Sequence, residues 1–216
     1  AQFTRSGNDR LLEMSLSSER ERDDGKGVGF RVRGGPTGLP QRREILREQE
    51  VDHVNKVSLG FETPFAGGKW RLDGAANHEW TEGDSLETTT FPASDLEVVA
   101  ERERVRQGEG AVRFERDLSA RWSLEALALA RRTTGHATDR EEGGGDVTVS
   151  RRESKAGESL ARGALRWQGE ALSLEFGGEG AVNTLDSSNA LTENGVVIFL
   201  PAADVRVEER RAEGFA

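Results

Sequence analysis

The chain has 216 residues and a net charge of −9, with 32% charged and 34% hydrophobic residues, no Cys, no Tyr and 26 Gly. Without Cys there is neither a disulfide framework nor a thiolate metal site, and no apolar run approaches the ~20 residues of a membrane-spanning helix. The acidic balance argues against nucleic acid as a partner, since that would need a basic surface, and leaves cations, small molecules and proteins open.

Period-two alternation organises the chain from its start. Leu12, Met14 and Leu16 oppose Glu13, Ser15 and Ser17, the pattern of a strand with one apolar and one polar face. Asp23-Asp24-Gly25 suits a tight hairpin, and Val28, Phe30 and Val32 resume the alternation. The glycines around Lys26 lack the spacing of a phosphate-binding loop. Gly34 to Arg43 reads as a long polar connection. Gln41 to Val51 is rich in helix formers, but Ile45 and Val51 keep the parity of Val57, Leu59 and Phe61, which favours a strand over a salt-bridged helix.

Pro64 to Lys69 predicts a short turn. Trp70, Leu72, Ala76 and Trp80 then face away from Arg71, Asp73, Asn77 and Glu79. After a second polar connection, Glu82 to Leu96, the segment Glu101 to Gln107 again offers a helix or a strand. The strand is preferred because Val112 and Phe114 follow on the same path. Arg116 to Ala120 is a short turn, Trp122 to Ala130 a strand, His136 to Asp146 a long connection and Gln168 to Glu170 a short turn. The strand through Leu172, Leu174, Phe176 and Val182 opposes Glu175 and Glu179, and Asp186 to Asn194 is the last long connection. Where Glu19/Glu21 alternate with Arg20/Arg22, and Glu101/Glu103 with Arg102/Arg104, both faces are charged. Such sections are expected to project into water beyond any apolar layer.

The sum is an all-β, antiparallel up-and-down meander of about ten strands joined by alternating short and long connections. Short turns at one end and long loops at the other mark an outer-membrane β-barrel, in which only every second residue meets lipid. Three of the four tryptophans, Trp70, Trp122 and Trp167, fall at the short-turn end. Trp80 lies further along the strand on the parity of Trp70, so the four resemble interfacial girdles. The absence of Tyr departs from the usual girdle. A small closed barrel, as pore or surface enzyme, and a soluble sandwich with tryptophans in its core are the alternatives.

The stretch Val57–Leu72 (VSLGFETPFAGGKWRL) resembles a descending strand, periplasmic turn and ascending strand of TonB-dependent outer-membrane receptors. So do Leu165–Leu185 and Leu200–Ala216. This is a style of hairpin repeated over most of the chain and not a sharp motif. The resemblance implies a receptor that takes up a scarce nutrient, such as a ferric siderophore, through a barrel of about 22 strands. It also implies a plug domain coupled to the TonB complex. Neither a plug nor a TonB box is visible, so residues 1–216 are expected to be a partial barrel domain in the outer membrane of a Gram-negative cell. The opening residue Ala1 in place of Met agrees with a piece of a longer chain.

On this reading the expected partners are outer-membrane lipid, the TonB complex and a small-molecule ligand. Arg71, Asp73, Arg162, Arg166, Glu175 and Glu179 line the lumen, and Trp70, Trp80, Trp122 and Trp167 sit at the membrane interfaces. No catalytic constellation stands out. His53, His78 and His136 are too scattered for a metal site, no cofactor is implied, and the expected role is transport and not catalysis.

Overall fold

The computed structural model describes residues 1–23, 28–34, 40–201 and 203–216. They form one all-β, antiparallel sheet that does not close. Its strands are β1 (Gln2–Gly7), β2 (Arg10–Asp23), β3 (Val28–Gly34), β4 (Pro40–Phe65), β5 (Gly68–Phe91), β6 (Asp95–Asp117), β7 (Trp122–Gly143), β8 (Asp146–Gln168), β9 (Ser173–Glu193), β10 (Val196–Ile198) and β11 (Asp204–Phe215). Consecutive elements pair in order, with two exceptions. Both β2 and β3 pair antiparallel with β4, through Asp23 opposite Glu50 and Val28 opposite Arg47. Likewise β10 and β11 both pair antiparallel with β9. Each of these couples therefore shares one position, and the eleven strands make a nine-position meander with β1 and β10/β11 at its free edges.

The hairpin expected at Asp23-Asp24-Gly25 falls on residues 24–27, outside the described ones, as does the glycine-rich stretch around Lys26. The flanking strands, however, run in the same direction along β4. Pro36 also lies outside the described residues. Both helix-rich segments, Gln41 to Val51 and Glu101 to Gln107, are strand throughout. Helix propensity is a weak prior, and ladder pairing on both sides overrides it here.

The short turns lie within two residues of where the alternation places them, with Arg116 and Asp117 still in β6 and Leu172 in the turn before β9. Ala66-Gly67 joins β4 to β5 with both residues at positive φ, 54° and 74°, the left-handed pair that matches strand twist in a two-residue hairpin. The expected long connections are different. Glu82 to Leu96, His136 to Asp146 and Asp186 to Asn194 are nearly all strand, with the chain reversing at residues 92–94, at Gly144-Gly145 and at Asn194-Gly195. Their polarity does not mark loops. It is instead the polarity of ribbons wet on both faces, with the backbone groups satisfied by the ladder. As a result β4 reaches 26 residues, about 85 Å along its axis.

This is a single layer. Among the described residues only Ala164 and Ala181 are buried apolar side chains. The accessible surface is 15074 Å², against about 9800 Å² for a compact monomer of this mass. A sandwich with a tryptophan core is therefore overturned, because among the described residues there is no second sheet to cover the first. A small closed barrel is not formed either, since β1 and β11 do not meet.

Candidate functional site

Side chains of directly paired residues stand on the same side of a sheet, so the register assigns every strand residue to a face. One row runs through Phe61, Leu72, Val112, Ala128, Ala161 and Gly180. Leu12, Met14, Leu16, Val57, Leu59, Phe114, Phe176 and Val182 share this face. It is apolar, and Leu16, Val57, Leu59 and Phe176 are more than two-fifths exposed. All four tryptophans lie on it. Trp122 and Trp167 are direct partners across β7 and β8. Trp70 packs on Phe114 at 4.8 Å between ring centroids, and Trp80 stacks flat on its partner His53 at 4.4 Å.

The opposite face carries the six charged residues read from the sequence, and the structure brings them into two groups. Arg71 donates to Asp73 at 2.9 Å on the same strand. Across β8 and β9, Arg166 donates to Glu175 at 2.7 Å, and Arg162 reaches the same carboxylate at 3.2 Å. Glu179, the register partner of Arg162, is instead paired with Arg211 at 3.3 Å, while Arg162 also lies 4.8 Å over the Phe215 ring. Lys69–Glu62 and Arg113–Glu115 add rungs of the same kind, at 2.7 and 2.8 Å. Near the short turns this wall is thus a lattice of alternating sign. The four buried side chains, Ala164, Ala181, Glu44 and Thr89, all stand on this charged face. Crowding on one side of a single layer marks that side as the concave one.

Two features were not read from the sequence. The first is a cluster at the far end of β3, β4 and β5 on the charged face. Glu44 is fully buried there among three guanidinium groups. Arg31 lies 3.2 Å and Arg33 3.6 Å from its carboxylate, and Arg42 is in contact with it. Arg31 and Arg42 also reach Glu87, at 3.3 and 3.2 Å, and Arg42 donates to the Thr89 hydroxyl at 3.3 Å. One strand away, burial and the carboxylates of Glu141 and Glu87 push Glu97 above its ordinary range, while Arg42 opposes that shift. The second feature is the sorting of charge by sign. Glu19, Glu21, Glu101 and Glu103 all stand on the concave face, whereas Arg20, Arg22, Arg102 and Arg104 all stand on the other. The Glu-Arg alternation was visible in the sequence, but only cross-strand register aligns the parity of β2 with that of β6.

Among the described residues no cluster of three or more His, Asp or Glu is arranged to hold a metal ion. What the concave face offers instead is a charged surface: mixed in sign near the short turns, acidic along the ribbons and arginine-rich at the tip of β3–β5.

No protein-family model matches the chain, and no curated protein matches it. Among solved structures it is similar to the ferric yersiniabactin uptake receptor FyuA from Yersinia pestis, with a TM-score of 0.42 and 8% identity over 99% of this chain and 40% of that one. The copper transporter OprC gives 0.34 and 11%, covering 97% and 38%. The siderophore receptor PiuA from Acinetobacter baumannii gives 0.24 and 7%, covering 98% and 47%. The chain therefore spans about two-fifths of the first two structures. Likenesses of this size carry no functional argument, which rests on the two faces of the sheet.

Proposed function

We propose that this sheet is a wall of an outer-membrane transport barrel of the TonB-dependent receptor kind, taking up a scarce small molecule such as a ferric siderophore. One observation carries the reading: a single-layer sheet turns an exposed apolar band, edged by tryptophans, away from a concave charged face. In water that band would be an aggregation surface. In a bilayer it is the lipid contact, and the charged concave face becomes the wall of an aqueous lumen. The dimensions agree. Trp70 and Trp80 bound about 33 Å of strand, which at a tilt near 45° is about 23 Å of height, against an apolar band of about 25 Å in such barrels. The ribbons beyond Trp80 would then stand outside the membrane. The open edges β1 and β11 need further strands, because unpaired backbone is not tolerated in lipid. Those strands, the plug and the TonB contact belong to the proposal.

The test is the behaviour of the chain without detergent. The expected result is aggregation in buffer and a dispersed, strand-rich species in detergent, read by sedimentation and circular dichroism. A soluble monomer that unfolds cooperatively without detergent would overturn the membrane reading. The transport part is tested separately, by accumulation of a radiolabelled ferric siderophore in cells expressing the full gene product.

A further inference from the structure

The sign sorting leaves a basic strip on the convex face along the upper margin of the apolar band, from the row of Trp80 to that of Ala76. Arg104 and Arg106 on β6 stand opposite His136 and Thr134 on β7, and Thr134 stands opposite Lys155 on β8. Arg132 lies one row lower, between Gly108 and Gly157. All four cations are exposed, and among the described residues none has an ion-pair partner. Acids are present on the same rows. Glu153 sits 3.8 Å from His136, and Asp186 is the register partner of Lys155. Counting Arg206, the register partner of Asp186, and Glu208, which faces Thr184 on the Arg132 row, the strip holds five cations against three acids. On the concave side at the same height stand Asp52, Glu79 and Glu103.

The strip also has shape. An open depression of about 600 Å³ on this face has Leu16, Val57 and Ala76 on its floor, with Arg106 and Arg132 at its rim. A second, of about 650 Å³, lies on the other side of Arg132 and is mixed in character, lined by Lys155 and Arg206 but also by Asp186 and Glu208. No atom lies within 4 Å of where a Cβ of Gly108 would be, so the space beside Arg132 is open. The first depression thus runs from an apolar floor up to a cationic edge.

We propose that this strip binds anionic, phosphate-bearing lipid headgroups in the leaflet on the side of the long ribbons, with an acyl chain lying in the depression floored by Leu16, Val57 and Ala76. The inference rests on the membrane reading above and deepens it. Arginine and lysine at the edge of an apolar band are attracted to anionic lipid at roughly 1 kcal/mol per cation, and the guanidinium fork matches a phosphate. A zwitterionic headgroup carries its own cation beside its phosphate and would offset less of the strip's charge than an anionic one.

The experiment offers the purified protein equimolar phosphatidic acid and phosphatidylcholine in mixed micelles, and measures the ratio of co-purifying lipids by mass spectrometry. Phosphatidic acid is expected to be enriched, with the enrichment falling as salt is raised. The triple variant Arg106→Gln, Arg132→Gln, Lys155→Gln should lose at least about tenfold of the enrichment. The variant Arg131→Gln, Arg152→Gln, which removes cations from the concave face, should keep it. Equal retention of both lipids by the unaltered protein, or an unchanged ratio in the triple variant, would overturn the proposal and leave the membrane reading intact. Retention of neither lipid by a protein that stays dispersed without detergent would overturn both. Loss of the enrichment to added inorganic phosphate at fixed ionic strength would assign the strip to free phosphate and not to lipid. The salt titration of the unaltered protein keeps the proposal falsifiable if the triple variant fails to fold.

Discussion

Glu103 and Arg104 are neighbours in the chain and stand on opposite sides of the sheet, Glu103 opposite Thr81 on the concave face and Arg104 opposite Trp80 on the convex one. Exchanging the two residues keeps composition and net charge but inverts the sorting. The double variant Glu103→Arg, Arg104→Glu places a carboxylate beside Trp80 at the edge of the apolar band. It is expected to fold with lower yield into vesicles containing phosphatidic acid, while yield into neutral phosphatidylcholine changes less. Strand content by circular dichroism after reconstitution reads the difference. Equal yields from both lipids would show that the sorting has no electrostatic consequence at the membrane.

The apolar band makes a second prediction. Val112 stands on the convex face opposite Leu72, and Ala111 on the concave face opposite Asp73. Val112→Arg puts a charge in lipid between the edge and the middle of the band and should cost about 1–3 kcal/mol. Ala111→Arg, one residue away, gains Asp73 as a counter-ion and should cost far less. Denaturant unfolding in lipid measures both, and equal costs would contradict the assignment of faces.

Much of this was legible in the sequence, for reasons particular residues make clear. Leu72 and Leu174 declare a face because their immediate neighbours are polar, and a period of two survives any error in strand boundaries. Ala66-Gly67 marks its turn because few residue pairs tolerate positive φ at both positions. Less was legible where both faces are polar. The segment from Glu82 to Leu96 looks like a loop because hydrophobicity cannot mark a strand that is wet on both sides. The Glu44 cluster was invisible because its guanidinium groups come from β3 and β4 and its second carboxylate from β5. Only register brings them together.

That cluster supports a third prediction. Glu44 is the only described side chain that is large and fully buried, and Glu44→Gln would leave Arg31, Arg33 and Arg42 facing one another with Glu87 as their remaining carboxylate. Removing one partner of a buried ion pair is costly, but these arginines are part exposed, so about 1–3 kcal/mol is expected. The loss should be local to the ends of β3, β4 and β5, and amide exchange there should rise while the apolar band stays protected. Arg33→Gln, which removes the more distant and more exposed partner, should cost less.

A fourth prediction concerns pH. Burial and the neighbouring Glu141 and Glu87 carboxylates raise Glu97 above its unfolded value of 4.5, so the folded ribbon prefers the neutral acid. A raised acid contributes stability that is fully present below the unfolded value and is lost as pH rises through the folded one. Protection of the first residues of β6, corrected for intrinsic exchange, should therefore be greater in mild acid than at neutral pH. Glu97→Gln should flatten that dependence, and a variant that keeps the full pH slope would assign it to another group.

The last prediction tests the packing of the free edge. A Cβ on Gly177 would stand 2.4 Å from the Phe215 ring and 2.5 Å from the Gly163 carbonyl oxygen. The ring can turn aside, but the carbonyl belongs to the β8 backbone and cannot move without disturbing the ladder. Gly177→Ala should therefore destabilise the β8–β9–β11 edge by about 1–3 kcal/mol. Adding Phe215→Ala should recover only part of that loss, because it removes one of the two clashes. Unfolding midpoints of the single and double variants in detergent measure the recovery. Full rescue by Phe215→Ala would mean that the backbone of β8 yields and that Gly177 serves only to seat the aromatic ring.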